Sequence, residues 1–256
     1  MQLIDTHTHL YSEQFDQDRN EMIQRALDSG VTRFYLPSID SSYYPKMQKL
    51  KVEYPKNMFL MMGLHPCDVK PDTYKEELAF VKKKLEEESF AAIGEIGLDL
   101  YWDVSTLEIQ KEAFRQQIRW AKECLLPIVI HVRDAFEEVL EILREEKSPD
   151  LYGILHCFTG TLEQAKELVQ LGFSLGIGGV VTFKNGKIDQ FLKEIPIQHI
   201  VLETDSPYLA PVPFRGKRNE SAYVKQVADK LSDIYEKLPE EIGRITTENA
   251  LKIFKQ

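Results

Sequence analysis

The chain has 256 residues, 43% of them hydrophobic, and a formal net charge of −9. That length suits one domain spanning 1–256 that buries its core without staples, and the acidic balance excludes general electrostatic coating of nucleic acid. Cys67, Cys124 and Cys157 are scattered and odd in number, which excludes a disulfide framework and predicts a reducing, cytoplasmic setting.

The opening MQLIDTHTHL lacks a basic region followed by an apolar one, so no signal peptide is expected. No apolar run reaches the length of a membrane span, so no membrane partner is expected either. Leu3-Ile4 starts a first apolar run, followed by a helical pattern through Met22, Ile23, Ala26 and Leu27 that Gly30 ends. Arg33 to Ile39 predicts a second strand and Met58 to Leu64 a third. A Lys- and Glu-rich helix is predicted from Tyr74 to Glu88, with its charge run on a solvated face. Ala91 to Ile96 is the fourth predicted strand, followed by a helix over Leu107 to Cys124 that Pro127 stops. Ile128 to Val132, Tyr152 to Leu155, Phe173 to Ile177 and Ile200 to Glu203 complete eight strands. Strands alternating with helices predict a parallel sheet. Eight such units in a chain near the typical length of roughly 250 residues predict closure into a (β/α)8 barrel. An open doubly wound sheet is the competing architecture, but no GxGxxG or P-loop pattern follows the first strand.

Polar residues collect where these apolar runs end. His7 and His9 are two apart, a spacing that points both imidazoles the same way in extended chain. Glu95 interrupts the apolar run IGEIG, and a buried carboxylate needs a partner, a metal ion or a buried cation. His131 closes PIVIH, His156 follows YGIL, and Asp205 closes HIVLETD. A barrel delivers such residues to the C-terminal face of its strands. Nitrogen and carboxylate ligands without thiolate suit Zn, Mn, Fe or, with more carboxylate and water, Mg. Six ligands exceed the needs of one tetrahedral ion. Two ions roughly 3.5–4 Å apart use them better, with Glu95 as the bridge. A local metal site of this kind holds phosphate despite an acidic exterior.

The segments DTHTHL, GLHP, IGEIGLD, HVRDA, HCFTG, ETDSPYLAPVPFRGKRNE and TTENALKIF, in this order from residue 5 to residue 254, resemble the TatD family of metal-dependent deoxyribonucleases. The resemblance implies a TIM-type barrel, hydrolysis of phosphodiester bonds in DNA, often from a 3′ end, and dependence on divalent metal, commonly magnesium. It implies one ion on His7, His9 and Asp205, a second on His131 and His156, and Glu95 between them. The implied partner is single-stranded DNA, with no obligate protein partner in view. Two departures stand out. Family members often carry an acidic residue where this chain has Tyr11, and a proline where it has Ser221. Neither is expected to touch a ligand.

Other residues carry paired readings. His65, in GLHP, is read as a phosphate contact or as a loop histidine held by Pro66. Glu203 shares a strand face with Asp205 and is read as orienting a ligand or pairing with a buried cation. Arg133 is read as neutralising phosphate or as bridging to Asp134 or a helix end. Arg215, Lys217 and Arg218 lie in a proline-stiffened loop after the eighth strand, read as the contact to the nucleic-acid backbone or as a solvated basic loop. Tyr101 and Trp102 are read as stacking a base or packing the rim. Cys157 is read as a buried small residue and not a nucleophile, since no separate base serves it. Asp205 is the candidate general base, beside the shared Glu95. Two alternative readings remain at this point. One is a metal hydrolase of small amides, lactones or phosphotriesters. The other is a non-catalytic module stabilised by metal, against which the sulfur-free ligand set speaks.

Overall fold

The computed structural model describes residues 1–255, so Gln256, the last residue of the expected domain, lies outside the described residues. Eight strands run parallel in the order β1 to β8: β1 Leu3–Asp5, β2 Val31–Leu36, β3 Met58–Met62, β4 Ala92–Asp99, β5 Ile128–Arg133, β6 Gly153–Leu155, β7 Phe173–Ile177 and β8 Ile200–Leu202. The expected (β/α)8 TIM-type barrel is the fold found. The seam between β8 and β1 is joined by the Thr6 amide to the Leu202 carbonyl at 3.0 Å and the Asp205 amide to the His7 carbonyl at 3.0 Å.

The helices are α1 Arg19–Asp28, α2 Tyr44–Glu53, α3 Tyr74–Glu87, α4 Leu107–Cys124, α5 Phe136–Glu145, α6 Leu162–Gln170, α7 Val224–Tyr235 and α8 Pro239–Ile253. Sequence pattern predicts α1, α3 and α4; the other five emerge only in the structure. No α-helix covers the β7–β8 crossover; short 3₁₀ turns at Gly179–Thr182, Ile188–Gln190, Leu192–Glu194 and Ile197–His199 fill it. Helices form where an apolar stripe meets good end chemistry. In α6, Thr161 and Gln164 make a reciprocal capping box, and Ala165 and Leu168 face inward.

Strand alternation divides the core into two shells. Ile4, Tyr35, Met61, Ala92, Val129, Ile154 and Val201, one from each strand except β7, pack together inside the barrel. Ala250 and Phe254 join them from the end of α8, and the Phe254 ring stacks on Tyr35 at 3.7 Å. The alternate residues, such as Phe34, Ile130 and Leu155, pack outward with the apolar faces of the helices. Inward parity continues upward from Val129 to His131, from Ile154 to His156 and from Val201 to Glu203. The same alternation that fills the barrel floor therefore furnishes its mouth.

Strand β4 departs from expectation. It continues past Ile96 to Asp99, and its register with β5 shifts between Gly94 and Ile96. Glu95 is the extra residue of that bulge, a device that re-aims side chains near functional sites. After it the parity reverses: Ile96 and Leu98 pack in the outer shell, so Gly97 and Asp99 turn inward. Gly97 has φ of +144° and lies so close to β5 that a Cβ would sit 2.0 Å from the His131 carbonyl.

Candidate metal centre

The six expected side chains meet at the C-terminal mouth of the barrel, though not all as the last residues of strands. Glu95 and His131 lie within β4 and β5, while His7, His9, His156 and Asp205 sit just past the ends of β1, β6 and β8. Cys157 and Asp205 take left-handed backbone angles, with φ of +46° and +56°, where the chain turns away from the barrel.

Glu95 lies at the centre, and its two oxygens face different groups. Oε2 faces His7 Nε2 at 3.1 Å and His9 Nε2 at 3.8 Å. Asp205 Oδ1 completes that side, 3.3 Å from His9 Nε2 and 3.8 Å from His7 Nε2. Oε1 faces His131 Nδ1 and His156 Nε2, both at 2.8 Å, and His65 Nε2 at 3.4 Å. The His7 and His156 rings stack at 3.8 Å and join the two halves. Burial alone would push the Glu95 carboxyl up, but His156, His7 and His65 around it hold it well below the usual carboxylate range.

An outer layer of acceptors orients these rings. Asp99 Oδ2 accepts from His131 Nε2 at 2.9 Å, while Asp99 Oδ1 accepts from the amides of Tyr101 at 3.0 Å and Trp102 at 3.3 Å. Burial raises the Asp99 carboxyl, yet the His131 hydrogen bond and charge bring it down to about 2. Glu203 is fully buried; its Oε1 accepts from the Cys157 amide at 2.7 Å and lies 3.6 Å from His156 Nδ1. Gly176 on β7 makes room for it, since a Cβ there would meet Glu203 Oε2 at 2.1 Å. Asp5 accepts from the Thr204 amide at 3.0 Å and the Thr204 hydroxyl at 2.6 Å, pinning the end of β1 to the end of β8.

Unpaired atoms test whether a cation fits. Both ring nitrogens of His7, His156 Nδ1 and Glu203 Oε2 are buried without a hydrogen-bond partner. His7 Nε2 and Glu95 Oε2 are close but are not aligned as a hydrogen bond. Proteins rarely leave so many buried polar atoms unpaired in one place. Three overlapping triads, His7/His9/Glu95, His7/His156/Asp205 and His65/Glu95/His131, each bring their donor atoms within 4.8 Å of one another. Nitrogen and carboxylate donors converging at that range fit a divalent cation of the Zn, Mn or Mg kind.

The remaining expected residues fall into place around this cluster. His65 is drawn inward: its Nδ1 accepts from the Cys67 amide at 3.1 Å, which leaves Nε2 facing Glu95. Arg133 is exposed and lies 3.5 Å above the Tyr101 ring; no ion pair to Asp134 forms among the described residues. Trp102 stands out in solvent, 71% exposed, edge-on to Tyr101. Arg215 is exposed over Phe183 at 3.8 Å, and Lys217 is exposed beside it. Arg218 does not share their freedom. It grips Asp18 with two hydrogen bonds of 2.6 and 2.7 Å and covers the Phe15 ring. It therefore braces the loop against the chain before α1.

Three expectations are corrected. Tyr11, expected to touch no ligand, places its hydroxyl 2.7 Å from His9 Nδ1. Asp99 falls beyond the expected end of the fourth strand at Ile96; an acid four residues after Glu95 is the signal that could have found it. Cys157, expected to be buried, is half-buried; its thiol is still pushed well up, first by desolvation and then by Asp205 and Glu203, as suits a thiol that stays protonated.

Comparison with known proteins places the chain in a family. The family model for TatD-related DNases matches residues 4–255. A Bacillus subtilis protein, YabD, described as an uncharacterized metal-dependent hydrolase, is 46% identical over 99% of both chains. A 3′-5′ ssDNA/RNA exonuclease TatD of Erwinia billingiae is 32% identical over 99% of both chains. The crystal structure of YjjV, a TatD homolog from Escherichia coli, superposes with a TM-score of 0.90 at 28% identity, covering 99% of this chain and 98% of that one.

Proposed function

The chain belongs to the TatD-related DNase family of metal-dependent hydrolases, and from that premise we propose that it hydrolyses phosphodiester bonds in DNA, working on single strands from the 3′ end. The observation that carries this reading is the division of donors between the two oxygens of Glu95. His7, His9 and Asp205 would hold one divalent ion, His131 and His156 a second, and Glu95 both. Magnesium is the ion proposed in function, with zinc and manganese as alternatives of matching chemistry. Bound ions supply positive charge to the phosphate and an acidified water near neutral pH.

The chain's own residues do the rest. The Asp205 side chain is 14% exposed, against 3% for Glu95 and 0% for Glu203. It is thus the acid of the inner cluster that reaches the mouth, placed to orient the attacking water or take its proton. Both Glu95 and Glu203 are sealed from bulk water, and Glu95, held well below the usual carboxylate range, serves as fixed negative charge. His65 Nε2 points into the same space and contacts a phosphate oxygen in this reading. Arg215 and Lys217 offer exposed cations to the backbone, and Arg133 with Tyr101 and Trp102 offers a stacking surface keyed to His131 through Asp99. The name of the Erwinia relative supports an exonuclease on single strands. The free thiols of Cys67, Cys124 and Cys157 support a cytoplasmic setting.

The deciding experiment compares a 5′-end-labelled single-stranded oligonucleotide with a panel of small esters, lactones and phosphotriesters, using protein reloaded with magnesium, manganese or zinc. Stepwise shortening of the oligonucleotide, abolished by Glu95→Ala and by His131→Ala, is expected. Turnover of a small ester with the oligonucleotide untouched would replace this reading with the small-molecule one.

A further inference from the structure

Tyr11 is buried just beyond the His7/His9 pair, and its ring lies against Tyr43 at 5.4 Å. Its hydroxyl has two neighbours. One is the Pro37 carbonyl at 2.5 Å, which can only accept. The hydroxyl proton therefore goes to Pro37, and an oxygen lone pair is left facing His9 Nδ1 at 2.7 Å. Two lone pairs would repel at that distance, so Nδ1 must carry the proton. The neutral imidazole then has its lone pair on Nε2, the nitrogen that faces Asp205 Oδ1 and Glu95 Oε2. Which nitrogen of a histidine is free to bind a cation is set by the hydrogen bond at the other nitrogen.

We propose that Tyr11 is a positioning residue for one metal position: the chain Pro37 carbonyl, Tyr11 hydroxyl, His9 Nδ1 fixes the tautomer and ring angle of His9 and so sets the affinity of the His7/His9/Asp205 side. The inference rests on reading His9 as a ligand. It goes beyond that reading by assigning control of the site to a residue that touches neither ion nor substrate. The two sides of Glu95 are controlled separately, because His131 takes its orientation from the Asp99 carboxylate and not from a phenol.

Two measurements on the whole chain test this. In metal-free protein, long-range ¹H–¹⁵N correlations of the histidine rings should show His9 protonated at Nδ1; a ring protonated at Nε2 with Nδ1 bare would overturn the proposal. In calorimetric titration with Zn²⁺, Tyr11→Phe keeps the buried ring and removes only the oxygen. It should weaken one binding step by about 10–100-fold, the usual effect of removing such an outer partner, and leave the other step in place. Unchanged binding at both steps, or equal weakening of both with a lower melting temperature of the metal-free protein, would overturn it. His9→Ala separates the claims. If it keeps both steps, the ligand reading of His9 itself fails; if it loses one while Tyr11→Phe loses none, only the role of Tyr11 fails.

Discussion

Replacing Asp99 by asparagine tests the outer layer of the site with almost no change of shape. The amide carbonyl can keep the Tyr101 and Trp102 amides that Asp99 Oδ1 now accepts at 3.0 and 3.3 Å. The amide nitrogen then stands where Oδ2 stood, 2.9 Å from His131 Nε2. Two donors cannot share that gap. His131 must move its proton to Nδ1, the atom 2.8 Å from Glu95 Oε1, and the lone pair that a cation needs on that side is gone. The expected cost is about 10–100-fold in metal affinity, or roughly 1.4–2.7 kcal/mol, confined to one of two binding steps. The pH dependence of the metal-free protein should change as well. Asp99 is brought down to about 2 and His131 is raised by its two carboxylate partners against the opposing effect of burial. The stability that Asp99 supplies is present above its unfolded value, near 3.8, and is lost as pH falls through about 2. That of His131 is full below its unfolded value, near 6.5, and is lost as pH rises through the higher folded one. Asp99→Asn should flatten the first limb and shrink the second. Calorimetry with Mn²⁺ or Zn²⁺ and urea melts across pH would read both effects. Metal binding indistinguishable from the parent protein would refute the orientation argument.

Three further outcomes are expected. Arg215→Ala with Lys217→Ala should raise KM for an oligonucleotide and flatten its salt dependence by about 0.7 in log–log slope for each phosphate no longer neutralised; an unchanged slope would return the loop to a solvated role. The Asp18 carboxyl is held down at about 2, first by the Arg218 hydrogen bonds and then by Arg25, so its contribution is present above pH 3.8 and lost as pH falls through about 2. Asp18→Asn should therefore raise the pH of acid unfolding, and an unmoved midpoint would show that the brace is idle. Cys157→Ala should leave turnover unchanged, because the half-buried thiol stays protonated and supplies no nucleophile; a dead enzyme with intact metal binding would contradict that.

The fold and the inner cluster are legible in the sequence because both depend on the same alternation. Apolar runs that end abruptly in His or Asp mark strands whose inward positions turn polar at the mouth, and His131, His156 and Asp205 stand out that way. What stays hidden has local causes. Asp99 lies beyond Gly97, which reads as a strand end, and only the bulge at Glu95 keeps the later residues facing inward. The link from Tyr11 to His9 depends on where Pro37 places its carbonyl, a contact across 26 positions that no local pattern encodes. Arg218 looks like its neighbours Arg215 and Lys217 because its partner, Asp18, is 200 residues away. The β7–β8 crossover carries no helical period to read, since short 3₁₀ turns fill it.

The seam of the barrel has a consequence for how the protein comes into being. One side of the candidate centre draws on His7 and His9 from the first strand's end and on Asp205 from the last, held together by the Thr6–Leu202 and His7–Asp205 backbone bonds. During synthesis the amino-terminal histidines emerge long before Asp205, and domains settle as their sequence becomes available. A ribosome-bound fragment that stops short of residue 205 lacks the acid that completes this side. A complete donor set arises only when the two ends of the barrel have found each other, so assembly of the candidate centre is timed by closure of the fold itself.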